Sequence, residues 1–207
     1  MARKSYTEEE KAARRNQILT VSLALFEKEG YDGTSMRQVA DKCGLSLGVL
    51  YYYFKNKEDI YLELYSKSLD FMEESFREAM TSPVPDIPSR ISLLIFSYFN
   101  FYNDHPDYYR VFTYGNRSGD KEVEIPENLK EKSVNILHML EEPVQDGIRE
   151  GVIRPCNSYK TVIALWTMSD GVLMLHKSSR VALFGDQFMD YYATAVNILL
   201  NGLLEEK

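Results

Sequence analysis

The sequence predicts an all-α protein, with a small N-terminal helix-turn-helix region followed by a larger helical region. Three observations carry this. Apolar residues recur at helical intervals along most of the chain, and the β-branched alternation of strands is nearly absent. The charge is also unevenly placed: residues 1–57 hold ten Lys/Arg against seven Asp/Glu, whereas residues 58–207 hold fourteen against twenty-four. The net charge of −7 taken whole argues against a polyanion partner, but the N-terminal stretch alone, at +3, suits phosphate.

The first helix is expected from Arg14 to Lys28, on Ile18, Leu19, Val21, Leu23, Ala24, Leu25 and Phe26, with Gly30 closing it. Gly33-Thr34 then offers a turn and an N-cap. Val39, Ala40 and Cys43 give the next helix an inner face, Gly44 ends it, and Ser46 caps a third. A long helix opens at Lys55–Asp59, with Tyr61, Tyr65, Leu69, Met72, Phe76 and Met80 in register, and Ser82–Pro88 breaks it. The helix after the break reads as amphipathic on one face, through Ile87, Ile91, Leu94, Ile95, Tyr98, Phe99 and Tyr102. A short segment, His105–Tyr114, leads to a polar stretch from Gly115 that reads as a mobile loop. Helix resumes from Leu129 to Glu150, and Gly151 and Pro155 end it.

The last two helices, Val162–Leu175 and Phe184–Leu204, carry apolar residues on more than one face. A helix needs one buried stripe within its own domain, so a second face calls for a partner subunit, the alternative being that both helices lie at the centre of one chain's core. A homodimer is expected, with Trp166, Leu173, Tyr192, Val196, Leu199 and Leu200 as candidate interface residues. Which faces meet stays open.

Residues 33–57 suit a helix-turn-helix on physical grounds. Val39, Ala40, Cys43 and Leu45 can pack between two helices, Gly44 permits the sharp turn, and Leu50 with Phe54 anchors the second helix. That phase leaves Ser46, Leu47, Gly48, Tyr51 and Tyr52 outward, at the end of a recognition helix that enters a major groove. Gly48 allows close backbone approach, the tyrosine rings and hydroxyls suit thymine methyls and phosphate oxygens, and Lys55 and Lys57 are phosphate-seeking charges. Tyr53 divides evenly between packing and contact.

The run Phe26-x3-Gly30-Tyr31-x-Gly33-Thr34-Ser35-x3-Val39-Ala40-x3-Gly44-Leu45-Ser46-x-Gly48-x-Leu50-Tyr51-x-Tyr53-Phe54-x2-Lys57-Glu58-x-Ile60 resembles the DNA-binding domain of the TetR family of repressors. Gly147–Arg154, Asp170-Gly171 and Asn201–Leu203 resemble weaker signatures of the same family. The resemblance implies about nine helices, with a DNA-binding domain at residues 1–55 and a ligand-binding and dimerisation domain at 56–207. It also implies a dimer built from the last two helices, and DNA contacts at Thr34, Ser46, Leu47, Gly48, Tyr51, Tyr52 and Lys57. Arg37 and Lys55 complete the candidate set. Leu47 departs from the polar or basic residue frequent there in relatives, which leaves the operator sequence undetermined.

The function so implied is a ligand-responsive regulator, expected to be a repressor, which double-stranded operator DNA and a small apolar or aromatic effector would both bind. The candidate effector residues are Tyr98, Phe99, Tyr102, Tyr109, Phe112, Trp166, Asp170 and Met174, because aromatic residues with Met suit an adaptable apolar pocket. A regulator answering to a protein partner, or to no ligand, is the alternative. Catalysis is not expected: Ser169, Asp170 and His176 do not share a helix face, and no glycine elbow or metal spacing accompanies them. Cys43 and Cys156 form no C-x-x-C, and the three histidines show no ligand spacing, so neither a cofactor nor a metal is expected. No apolar run is long enough for a membrane and the start lacks a signal-peptide core, so a cytoplasmic location is expected.

Overall fold

The first helix begins at Glu8, six residues before the expected start at Arg14. The computed structural model describes residues 7–114, 123–177 and 187–205, and the expectations for the N-terminal start, the polar stretch from Gly115 and Phe184 lie outside them. Helix α1 (Glu8–Gly33) is closed at its N-terminus by a capping box. The Thr7 hydroxyl accepts from the Glu10 amide at 3.1 Å, and the Glu10 carboxylate accepts from the Thr7 amide at 2.8 Å. Its first turns face solvent, so no apolar stripe reveals them. Gly30 has φ 75°, which kinks the helix, and a further turn continues to Gly33.

Helix α2 (Met36–Cys43) is capped by Ser35 and not by Thr34. The Ser35 hydroxyl accepts from the Gln38 amide, and the Gln38 side chain returns to the Ser35 amide. Gly44, left-handed at φ 65°, turns the chain within three residues into α3 (Leu47–Tyr53), where Ser46 accepts from the Val49 amide. Helix α4 (Lys57–Thr81) opens with Asn56 accepting from the Asp59 amide at 2.7 Å, and α5 (Ile87–Asp104) with Asp86 accepting from the Ser89 amide at 2.8 Å. Helices α6 (Pro106–Tyr114), α7 (Glu127–Arg149), α8 (Ser158–Lys177) and α9 (Phe188–Leu203) follow. The described residues thus form nine helices and no strand; an isolated bridge joins Ile153 to Leu204.

By packing, the chain forms two units, Met1–Leu69 with Pro106–Glu127, and Asp70–His105 with Asn128–Lys207. Their border runs through α4, on a different basis from the functional boundary read at 55/56. In the first unit, Ile18, Leu19, Leu50, Phe54, Ile60, Tyr61 and Leu64 form the centre of the core. The short segment after α5 is helical from Pro106 to Tyr114, and α6 closes this core: Val111 joins it, the Tyr61 hydroxyl donates to the Val111 carbonyl at 3.1 Å, and Arg110 pairs with Glu27 of α1.

In the second unit, α5 packs on both α8 and α9, which pack on each other. This makes α5 less one-sided than expected: Phe101 and Ser97, outside its apolar stripe, are buried as well. Gly147 of α7 has no room for a side chain, since a Cβ there would lie 2.6 Å from Ile153 Cδ1. That approach lets the Val152 and Ile153 amides both donate to the Gly147 carbonyl, while the chain beyond pairs with the C-terminal residues.

Candidate nucleic-acid interface and effector region

The α3 helix divides as its phase requires. Leu50 and Phe54 are buried in the first unit, whereas Leu47 (39%), Val49 (41%), Tyr51 (48%) and Tyr52 (70%) are exposed. Ser46, Gly48, Arg37 of α2 and Lys55 are exposed too. A Cβ on Gly48 would meet nothing within 4 Å, so the fold itself does not require glycine there. Tyr53 is half-buried against the core and stands edge-on to Tyr52, with ring centroids 5.2 Å apart. Val49, which the sequence reading passed over, belongs to the exposed face; its β-branched apolar side chain resembles core when spacing alone is read.

Two candidates point inward instead. Thr34 is buried, and its hydroxyl donates to the Gly30 carbonyl at 2.8 Å, engaged in closing the bend after α1. The Lys57 ammonium donates to the Tyr31 carbonyl and, at 2.8 Å, to the Thr34 carbonyl, and lies 4.2 Å from the centre of the Tyr31 ring. Burial lowers its pKa from the ordinary lysine value. A further cation was missed altogether: Arg15 of α1 pairs through two nitrogens with Glu63 of α4, donates to the Tyr53 carbonyl at 2.8 Å, and covers the Phe54 ring at 4.1 Å. The pair is partly exposed and adds little stability by itself, but its geometry fixes the end of α3 against α4. Only a fold brings Arg15 to residues 53 and 63, so spacing carried no signal for it.

Six of the eight candidate effector residues lie in the second unit. Tyr98, Phe99 and Tyr102 are on α5, and Trp166, Asp170 and Met174 follow one another at four-residue intervals on α8, hence on one face. The Tyr98 hydroxyl donates to Asp170 Oδ1 at 2.9 Å, and burial, reinforced by the Asp170 charge, holds its phenol well above the ordinary range. The Tyr102 hydroxyl and His176 Nδ1 form a second hydrogen-bonded pair at 2.7 Å, and the His176 ring stacks on Phe188 at 3.8 Å. Phe99 leans on Tyr102, Phe188 and Tyr192. Tyr109 and Phe112 are instead in the first unit, Tyr109 fully buried and Phe112 stacked on Tyr65 at 5.8 Å.

Four of the six candidate dimer residues need correction. Leu173, Tyr192, Val196 and Leu200 are buried within the single chain, so they form its own core; Trp166 and Leu199 are half-buried. Sequence periodicity finds apolar stripes but does not say which stripe faces inward. The exposed stripes are Ala164, Thr167, Gly171 and Leu175 on α8 and Tyr191, Thr194, Ile198 and Gly202 on α9, each at the same helical spacing.

Residues 18–64 match the profile of bacterial regulatory proteins of the tetR family, and residues 89–196 match that of the tetracyclin repressor-like C-terminal domain. The chain belongs to the tetR family. Among its relatives, the HTH-type transcriptional regulator YhgD of Bacillus subtilis is 27% identical over 152 residues, which is 73% of this chain and 78% of that protein. Two solved structures share the fold. A bacterial regulatory protein in the tetR family from Rhodococcus RHA1 superposes with a TM-score of 0.76 at 17% identity, covering 94% of this chain and 98% of that one. The transcriptional regulator FadR from Bacillus subtilis, solved in complex with stearoyl-CoA, superposes with a TM-score of 0.71 at 19% identity, covering 91% and 98%. These tetR relatives are transcriptional regulators and not enzymes, in agreement with the reading of Ser169, Asp170 and His176. Among the described residues no helix is long and apolar enough to cross a membrane.

The second unit of this tetR chain carries a titration of its own. Tyr192 donates to the Ile95 carbonyl at 3.0 Å, and burial pushes its phenol up to about 12. A phenol whose folded pKa lies above its ordinary value near 10 contributes stability that is complete below about pH 10 and lost as pH rises toward 12. Alkaline denaturation followed by circular dichroism is therefore expected to set in above about pH 10, and Tyr192→Phe to flatten that part of the profile. An unchanged slope in the variant would assign the loss to other groups.

Proposed function

We propose that this protein is a dimeric transcriptional repressor that binds operator DNA through α3 and releases it when a small, largely apolar molecule binds the second unit. The observation that carries the reading is the division of α3. Leu50 and Phe54 hold the helix to the core, while Leu47, Val49, Tyr51 and Tyr52 stand in solvent around the open side of Gly48. Four apolar or aromatic side chains on one exposed short helix need a partner to cover them, and Arg37 and Lys55 beside them suit phosphate.

Full-length protein is expected to recover specific near-palindromic duplexes from a random-sequence pool, with half-sites separated by about one helical turn, ~34–36 Å, or a small multiple. Recovery of no sequence above background sinks the reading.

For the dimer, the exposed stripes of α8 and α9 are the proposed seam, with Ala164, Gly171 and Gly202 allowing close helix approach. For the effector, the stripe Trp166–Asp170–Met174 and the rings of α5 supply apolar contact, with Asp170 and His176 as polar fixtures. The stearoyl-CoA bound by the Bacillus subtilis regulator makes an acyl chain the class to test first. The surplus of acid in residues 58–207 favours a cationic apolar compound as the second class. Trp166 is the one tryptophan, so quenching of its fluorescence reads binding directly. A true inducer is expected to weaken DNA binding by about 5–150-fold, and DNA to weaken the inducer by the same factor. The direct ring-on-ring packing of Phe99, Tyr102, Phe188 and Tyr192 also suits a regulator without a ligand, in which case every tight binder leaves DNA affinity untouched.

A further inference from the structure

Helix α3 lacks the groups that read bases through paired hydrogen bonds. In the major groove guanine is read by Arg or Lys, adenine by Asn or Gln, and cytosine by Asp or Glu. None of these residue types occurs in Leu47–Tyr53. The carboxamides on either side are already committed: Gln38 donates to Glu29 at 2.8 Å and accepts from the Ser35 amide at 2.7 Å, and Asn56 accepts from the Asp59 amide. Arg37, Asp41 and Lys42 belong to α2, and Lys55 follows α3. The Ser46 hydroxyl accepts from the Val49 amide as the cap of the helix. A tyrosine hydroxyl both donates and accepts, so it discriminates weakly among base edges.

What α3 does present is apolar. At about 100° per residue, Gly48 and Tyr52 lie at the centre of its outer face, with Leu47 and Tyr51 on one flank and Val49 on the other. A Cβ on Gly48 would meet nothing within 4 Å. The first turn, the part of a recognition helix that contacts base edges, is thus a pair of exposed aliphatic side chains flanking an open glycine. Among the base edges of a major groove, only thymine offers an apolar group, its C5-methyl. An aliphatic side chain pressed on a donor or acceptor edge strips that group of water and leaves it unpaired, which costs affinity. Against a methyl the same side chain buries apolar surface on both partners.

We infer that Leu47 and Val49 make α3 a reader of thymine methyls: they select T·A pairs in each half-site by apolar contact and not by hydrogen bonds to base edges. This rests on the DNA-binding reading given above and names what that surface recognises.

Duplexes recovered from a random pool by the full-length wild-type chain serve as probe, and base analogues placed in one half-site alter only the DNA. Replacing dT by dU removes the methyl and keeps every hydrogen-bonding group. At the positions facing the first turn of α3 it is expected to weaken binding about fourfold, the worth of one buried methyl-sized group. Replacing the same dT by 5-methyl-dC, paired with dG, keeps the methyl and changes the rest of the edge. It is expected to bind about fourfold more tightly than unmethylated dC at that position. The dU penalty is expected to vanish at one position in Leu47→Ala and at another in Val49→Ala; both side chains are exposed, so the fold is left intact. Affinity unchanged by every dT→dU replacement overturns the inference, because site choice then rests on hydrogen bonds or duplex shape. So does a 5-methyl-dC that binds no better than dC. A dU penalty that persists in full in both alanine variants also overturns it, and gives the methyls to other side chains. If the wild-type chain selects no duplex, the DNA-binding reading itself fails, an outcome distinct from any of these.

Discussion

Ile198→Glu is expected to give a folded monomer that has lost tight DNA binding. Ile198 is 66% exposed, second to Tyr52 among the exposed large hydrophobic residues of the described chain, and it sits midway along the outer stripe of α9. In an isolated chain the carboxylate remains in water and costs little. In a two-fold interface each substitution appears twice, and an unpaired charge buried at a contact costs on the order of 2–5 kcal/mol. Two such charges outweigh most of what a moderate interface supplies. Sedimentation at micromolar concentration reads the result, and a variant that sediments like a wild-type dimer would show that α9 meets no partner there. Val196→Glu, two residues away, is the control with the opposite outcome. Its site is fully buried within the chain, so the substitution is expected to unfold the protein instead of dissociating it.

The second large effect separates the two faces of α3. Leu50→Ala removes a fully buried side chain from the core of the first unit and is expected to cost about 2–5 kcal/mol. Against a total stability of roughly 5–15 kcal/mol this is a marked fall in melting temperature. Tyr52→Ala, at the exposed end of the same helix, is expected to leave melting unchanged and to weaken duplex binding by about 1–3 kcal/mol. If Tyr52→Ala melts early, or binds DNA as wild type does, the outer face of α3 is not the contact surface.

How far the sequence revealed this arrangement varies from one element to the next. The α2–α3 turn was legible because local chemistry decides it: a left-handed glycine, a serine cap, and Leu50 and Phe54 four residues apart. The start of α1 was hidden, since a capping box in an exposed turn leaves no apolar trace. The sidedness of α9 was also hidden. Val196 and Ile198 are both β-branched and apolar, and only the packing of α5 and α8 decides that one is core and the other solvent. The inward engagement of Thr34 and Lys57 likewise depends on where the Gly30 bend brings the Tyr31 and Thr34 carbonyls, a long-range outcome that no spacing encodes.

The outer face of α3 bears Leu47, Gly48, Val49, Tyr51 and Tyr52, and none of these carries a formal charge. Counterion release comes from cations, and on the proposed reading these are neighbours such as Arg37 and Lys55, which would grip the backbone without reading sequence. On that reading overall grip and choice of site reside in different side chains. Raising ionic strength is expected to empty all sites together while preserving their order of preference. A cell whose internal salt fluctuates would see this regulator's occupancy rise and fall, while the set of promoters it ranks highest stays the same.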